Sequence, residues 1–288
     1  MKTVNSISGG KTSAYIAANY PADYNVFALV RTDDKSCLFP DAKLRQIVSD
    51  KIGKEFIGTL EEDAIIYTIL DLEQYIGTEI DWVSGKSYDE LISNNNGKTY
   101  LPSAKFRQCS SELKVVPIAA WWYNKIREPI NMRIGFRANE TNRAETMINR
   151  FDEDSLHTEK IIVGEDQNGR NKWESFRWRT VSFPLIKDRI FKDHIEAYWK
   201  DKPVRFAYMN NCVGCFNRNP LLLKHLSTKF ENKFDWFIEQ ENKSIRDYNR
   251  QWYTDTDKPT YTEIKGMLEQ LQLFDSDFNE CDSGFCGI

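Results

Sequence analysis

The chain has no long apolar run. Nothing in its 288 residues approaches the length needed to cross a bilayer, so no membrane partner is expected. Its start, MKTVNSISGGKTSAY, has polar residues and glycines where a secretory leader carries its apolar stretch. A cytoplasmic location is the resulting expectation. Neither sign of charge is in large excess: 39 basic residues face 43 acidic ones, for a net charge of −4. That balance excludes a global cationic field for nucleic acid and leaves a local basic face open. Histidine is scarce, and His157, His194 and His225 are scattered, so none is assigned as a ligand. There is no internal repeat, and the only low-complexity tract, Asn94-Asn95-Asn96, reads with Gly97 as a turn.

Cysteine is sparse too, and its placement is informative. The chain has six, which a reducing cytosol would keep out of structural disulfides. Cys212 and Cys215 form a CxxC, Cys281 and Cys286 sit close to the carboxyl end, and Cys37 and Cys109 stand alone. A role as small core hydrophobes suits Cys37 and suits the other five poorly.

What is present is the composition of a packed globule: 41% hydrophobic, 28% charged and 13% aromatic residues. The length suffices for one large core, or for a main domain with a smaller one attached. Short apolar runs at Val26–Val30, Glu55–Ile57 and Asn131–Ile134 read as buried strands, with a weaker first strand at Thr3–Ser8. Helical spacing marks Asp41–Ile52 and Leu113–Ile126. Strands alternating with helices predict an α/β fold, a Rossmann-like parallel sheet with helices on both faces. Near Asp201 the character changes to the CxxC, two helical stretches (Pro220–Gln240 and Thr262–Leu273) and an acidic tail ending CDSGFCGI. The expected division is a nucleotide-binding domain over 1–200 and a small, mostly helical, cysteine-containing module over 201–288.

Ser8-Gly9-Gly10-Lys11-Thr12-Ser13 follows the first strand and precedes a helix at Ala14–Asn19 that Pro21 closes. Two glycines allow backbone N–H groups to approach an anion, and the helix start adds its own unpaired N–H groups. Ser8, Thr12 and Ser13 add hydroxyls, and Lys11 adds charge. The GxxxxGK[ST] spacing of a Walker A loop is absent. The alternative is an ordinary glycine turn with a serine cap.

This loop resembles the SGGxDS pyrophosphate loop of the PP-loop, or adenine nucleotide alpha hydrolase-like, superfamily. Thr12 stands where the ATP pyrophosphatases have Asp, a departure that bears on how magnesium would be held. Three further stretches resemble the phosphoadenosine phosphosulfate (PAPS) reductase branch and its relative, the DNA phosphorothioation sulfurtransferase. Arg107-Gln108-Cys109-Ser110-Ser111-Glu112-Leu113-Lys114 is similar to an R-x-C-T-x-x-L-K segment, and Pro117 follows. Gly135-Phe136-Arg137-Ala138-Asn139-Glu140-Thr141 is similar to G-x-R-x-x-E-S, with Arg143 close by. Phe183-Pro184-Leu185-Ile186 is similar to a YPL segment leading to a helix, here Ile190–Trp199. These matches span roughly residues 3 to 215 in the expected order.

The resemblance implies an adenine nucleotide as ligand, either ATP or an adenylyl sulfate. Arg107, Lys114, Arg137 and Arg143 offer charge-assisted hydrogen bonds to phosphate or sulfate oxygens. An ion pair between Arg137 and Glu140 is the alternative for that pair. Thr32, at the head of Thr32-Asp33-Asp34, lies where the superfamily approaches the adenosine; a solvated turn is the alternative. Cys109, Cys212 and Cys215, with Cys281 or Cys286, would hold an iron–sulfur cluster, with structural zinc on the same residues as the other choice. Phe285-Cys286-Gly287-Ile288 resembles the E-C-G-[IL]-H tail whose cysteine is the reductase nucleophile, without the final His. Cys286 is thus a candidate nucleophile or a candidate ligand.

The expected function is ATP-dependent sulfur transfer. The loop, with Lys11 and Ser13, would stabilise departing pyrophosphate while an acceptor is adenylated. A sulfur nucleophile would then displace AMP, drawing on a sulfur-donor protein as partner. The alternatives are a thiol-dependent sulfonucleotide reductase and a non-catalytic nucleotide-binding module with structural zinc. A nucleic-acid acceptor stays open because Arg and aromatic residues interleave in Arg246–Tyr253.

Overall fold

The computed structural model of the chain describes residues 1–93, 96–151, 155–165, 167–253 and 258–268. Its strands are β1 (Lys2–Ile7), β2 (Tyr24–Ala28), β3 (Arg31–Thr32), β4 (Gly58–Thr59), β5 (Ile80–Val83), β6 (Ile130–Arg133), β7 (His157–Glu165) and β8 (Asn171–Ser182). Six of them form one sheet in the order β5-β2-β1-β6-β8-β7, and every neighbouring pair is parallel except β7 and β8. The α/β expectation holds.

Alternation along the strands gives the sheet two apolar faces. Ile7, Phe27, Ile80 and Trp82 pack with helices Lys11–Asn19, Ala42–Ile52, Ala64–Ile76 and Lys192–Trp199. Val4, Val26, Ala28, Ile130 and Met132 pack on the other face with helices Val116–Lys125 and Thr141–Ile148. Both faces are covered, so β2 reads as a nearly continuous apolar run. Asn5, the most buried polar residue of β1, has internal partners. Asn5 is fully buried, and its amide donates to Tyr20 O and Asn25 Oδ1, each at 3.0 Å.

Several expected elements differ in the structure. Glu55–Ile57 is no strand: Ile57 O accepts from Phe39 N at 2.9 Å, and β4 pairs antiparallel with β3 outside the main sheet. The edge place beside β2 belongs to β5. Leu113–Ile126 begins as a π-helical turn, Ser111–Val115, before the α-helix from Val116. Pro220–Gln240 breaks at Phe230 into Pro220–Lys229 and Glu231–Tyr248. Thr262–Leu273 is replaced by a helix at Tyr261–Gly266, and its last residues lie outside the described ones. The long β7–β8 hairpin had no counterpart in the sequence reading.

The helical carboxyl-terminal part shares its core with the preceding chain. Trp236, Phe237, Trp252 and Tyr261 join Val30, Leu60, Tyr88 and Leu113 in a third apolar cluster. Asp89 ties the two parts together, accepting from Trp236 Nε1 at 3.0 Å and from Thr32 Oγ1 at 2.6 Å.

Candidate functional site

In a sheet of this order the crossover connections depart in opposite directions from β1, leaving a crevice between the carboxyl ends of β1 and β6. A cleft lies there. It is lined by Ser6 and Ile7 at the end of β1, by Ser8, Gly10, Thr12 and Ser13 of the loop and helix start that follow, and by Ile134 to Arg137 after β6.

Most residues singled out in the sequence converge on this cleft. Ser8, Gly10, Thr12 and Ser13 line one wall; Arg107, Lys114, Arg137 and Arg143 surround it; Cys109, Cys212 and Cys215 also face it. Four basic side chains meet two carboxylates, Glu61 and Glu140, so the cleft is locally cationic in an acidic chain.

The glycine loop is closed by its own serines. Ser13 Oγ donates to Gly10 O and accepts from Ser8 N, both at 3.1 Å. Gly9 has φ +78°, and a Cβ there would stand 2.7 Å from Ile65 Cγ2. It makes the turn from beneath and does not line the cleft. The helix that starts at Lys11 has glycine, Gly10, at its N-cap and so no side-chain cap there. Gly135 passes close to this helix start, with its would-be Cβ 3.4 Å from Ser13 N.

Two expected site residues point elsewhere. The Lys11 ammonium pairs with Glu196, and Trp199 Nε1 donates to Lys11 O at 3.0 Å. As the first helical residue, Lys11 leaves from the face packed on helix Lys192–Trp199. Its side-chain charge therefore lies outside the cleft, correcting the role expected of it. Thr32 is fully buried, with its hydroxyl engaged by Asp89 and by Asp34 N at 3.2 Å, so it secures the end of the short ladder.

On the β6 side, Glu140 bridges two arginines. It accepts from Arg137 N at 2.8 Å and Arg137 Nε at 3.2 Å, and it also pairs with Arg143. Arg143 in turn lies over the Phe136 ring, 4.3 Å from its centroid. An ion pair between Arg137 and Glu140 is therefore present, and it sits inside the cleft, where Glu140 holds both guanidinium groups. Lys114 is held by buried Glu61 at 3.1 Å.

Burial pushes the Cys109 and Cys212 thiols up, and neighbouring Cys215 adds to the rise for both. Arg107 and Lys114 oppose the rise at Cys109. As free thiols these groups are protonated near neutral pH and weak as nucleophiles. Among the described residues no three His, Cys, Asp or Glu side chains are gathered so as to hold a metal ion. Cys281 and Cys286 lie outside the described residues.

The sequence reading missed Glu61, Tyr88, Asn210, Asn211 and Asn217 as cleft residues. Only the two asparagines directly before the CxxC offered a local signal. Arg246–Tyr253 divides: Trp252 and Tyr253 are buried, and Arg250 stacks on Tyr100 at 4.2 Å, so these groups serve packing. The chain matches no family model, no curated protein and no solved structure.

Proposed function

We propose that the chain is a PP-loop-like enzyme that binds an adenine nucleotide in the cleft between β1 and β6 and uses it in sulfur transfer. The observation that carries this reading is convergence. Ser8, Gly10, Thr12 and Ser13, Arg107 and Lys114, Arg137 and Arg143, and Cys109, Cys212 and Cys215 are far apart in sequence and line one cleft. The helix-start N–H groups and the cleft's cations suit phosphate or sulfate oxygens. They would stabilise negative charge on departing pyrophosphate as the acceptor attacks the α-phosphorus. A sulfur nucleophile, replenished by a donor protein, would then displace AMP from the acceptor.

Cys109, Cys212 and Cys215 form one thiol-rich wall, which fits an iron–sulfur cluster with a tail cysteine as fourth ligand. Structural zinc on the same cysteines is the alternative. A bound cluster would supply electrons or hold sulfur close to the nucleotide.

A sulfonucleotide reductase is the second reading, favoured by the surroundings of the loop. Glu61 and Glu140 are both committed to basic partners, and Thr12 occupies the Asp position, so magnesium finds little support there. In this reading the Cys286 thiolate attacks the sulfate sulfur and displaces the nucleotide phosphate, and an added thiol then releases sulfite by forming a disulfide with Cys286. Anaerobically purified protein given ATP and candidate acceptors, or an adenylyl sulfate and a thiol, separates the two. Pyrophosphate release supports the first and sulfite release the second; neither product, together with no bound iron, would leave the non-catalytic module.

A further inference from the structure

The segment Met209–Arg218 carries Cys212 and Cys215, and it touches the glycine loop at one point. A Cβ added to Gly10 would stand 2.6 Å from Asn210 Nδ2 and 3.1 Å from its Cγ. Gly10 is also where the first helix begins, since Ala14 N donates to Gly10 O at 3.0 Å. The Asn210 carboxamide therefore lies at the mouth of the helix-start N–H groups. It is half-buried, and among the described residues it makes no side-chain hydrogen bond.

The backbone of Asn210, by contrast, is tightly held. Its carbonyl accepts from a guanidinium nitrogen of buried Arg218, which also approaches Met209 Sδ at 2.9 Å. Arg218 N donates to Cys215 O at 3.0 Å, and Cys215 N donates to Cys212 O at 3.1 Å. Arg218 thus meets the residue touching Gly10 through its side chain and the CxxC through the backbone hydrogen bond to Cys215. Asn211, at φ +74°, makes the sharp turn between them.

We propose that Asn210 couples the two halves of the cleft: its amide donates to an anion seated on the glycine loop, and Arg218 transmits that contact to Cys212–Cys215. This rests on the reading that the loop takes the anionic end of a nucleotide. Coupling of this kind is reciprocal. A bound anion orders the cysteine segment, and a displaced cysteine segment weakens the anion.

The test uses the full chain with inorganic pyrophosphate and ATP as probes, read by calorimetry and by hydrogen exchange over residues 209–218. In the wild type, saturating pyrophosphate is expected to slow exchange there by about fivefold or more. Asn210→Ala should bind about tenfold more weakly, the loss of one hydrogen bond to a charged group, and show no slowing at saturation. Asn210→Asp, equal in size, should bind more weakly still through repulsion, with both variants melting close to the wild type. Wild-type binding with both variants within twofold and fully protected would overturn the coupling alone. Weaker binding with undiminished protection would also overturn it. A wild type that binds neither probe would overturn it together with the proposed function.

Discussion

The two loop glycines are glycine for different reasons, and the difference is testable. Gly9 combines a left-handed backbone with a neighbour, Ile65, that is itself fully packed. Gly9→Ala is expected to cost about 1–3 kcal/mol in urea denaturation, from strain and displacement of Ile65. Gly10 has the end of the Asn210 side chain as its nearest neighbour, so Gly10→Val should keep stability within about 1 kcal/mol while weakening nucleotide binding severely by filling the anion's approach. Glu140→Gln should release the two arginines from their shared carboxylate; nucleotide affinity is expected to change at least several-fold while the fold persists, measured by calorimetry beside circular dichroism. At this scale sequence spacing singled out Ser8, Gly10, Arg137, Cys109, Cys212 and Cys215, all of which line one cleft. It misplaced Lys11 and Thr32 because the direction of a side chain depends on what its element packs against, here Glu196 and Asp89.

Among the elements, the helix Glu231–Tyr248 holds the carboxyl-terminal part in place through a buried carboxylate. Glu241 accepts from Trp252 N at 3.0 Å and Tyr261 N at 2.6 Å, and so anchors the chain on both sides of residues 254–257. Glu241→Ala leaves two buried N–H groups without an acceptor and should cost about 2–4 kcal/mol by denaturant titration. Burial raises the Glu241 carboxyl above its ordinary range, so the folded chain keeps this proton to higher pH than the unfolded chain does. Its contribution to stability therefore falls as pH rises from the ordinary glutamate value through the raised one, and Glu241→Gln should remove that part of the slope. Strands with continuous apolar runs were readable, as at Val26–Ala28. The β7–β8 hairpin was not, because its solvent-facing positions carry Ile162 and Trp173 and blur the alternation. Glu55–Ile57 looked like a sheet strand because local apolarity does not say which neighbour a strand finds.

For the molecule as a whole, the strand order was not legible in the sequence, yet it is what gathers the site. Placing β1 between β2 and β6 brings loops from positions near 10, 110, 137 and 212 to one edge, and the carboxyl-terminal helices cover that edge with the CxxC. A locally cationic cleft in a chain of net charge −4 also implies binding that weakens with salt, because the attraction is confined to a few partly screened groups. The most direct measurement is calorimetric titration of anaerobically purified full-length protein with ATP and with adenylyl sulfates, wild type beside Arg137→Ala. One nucleotide per chain is expected to bind the wild type and to bind Arg137→Ala about tenfold or more weakly. Absence of binding by every one of these nucleotides, or equal affinity in the two proteins, would contradict a nucleotide site in this cleft.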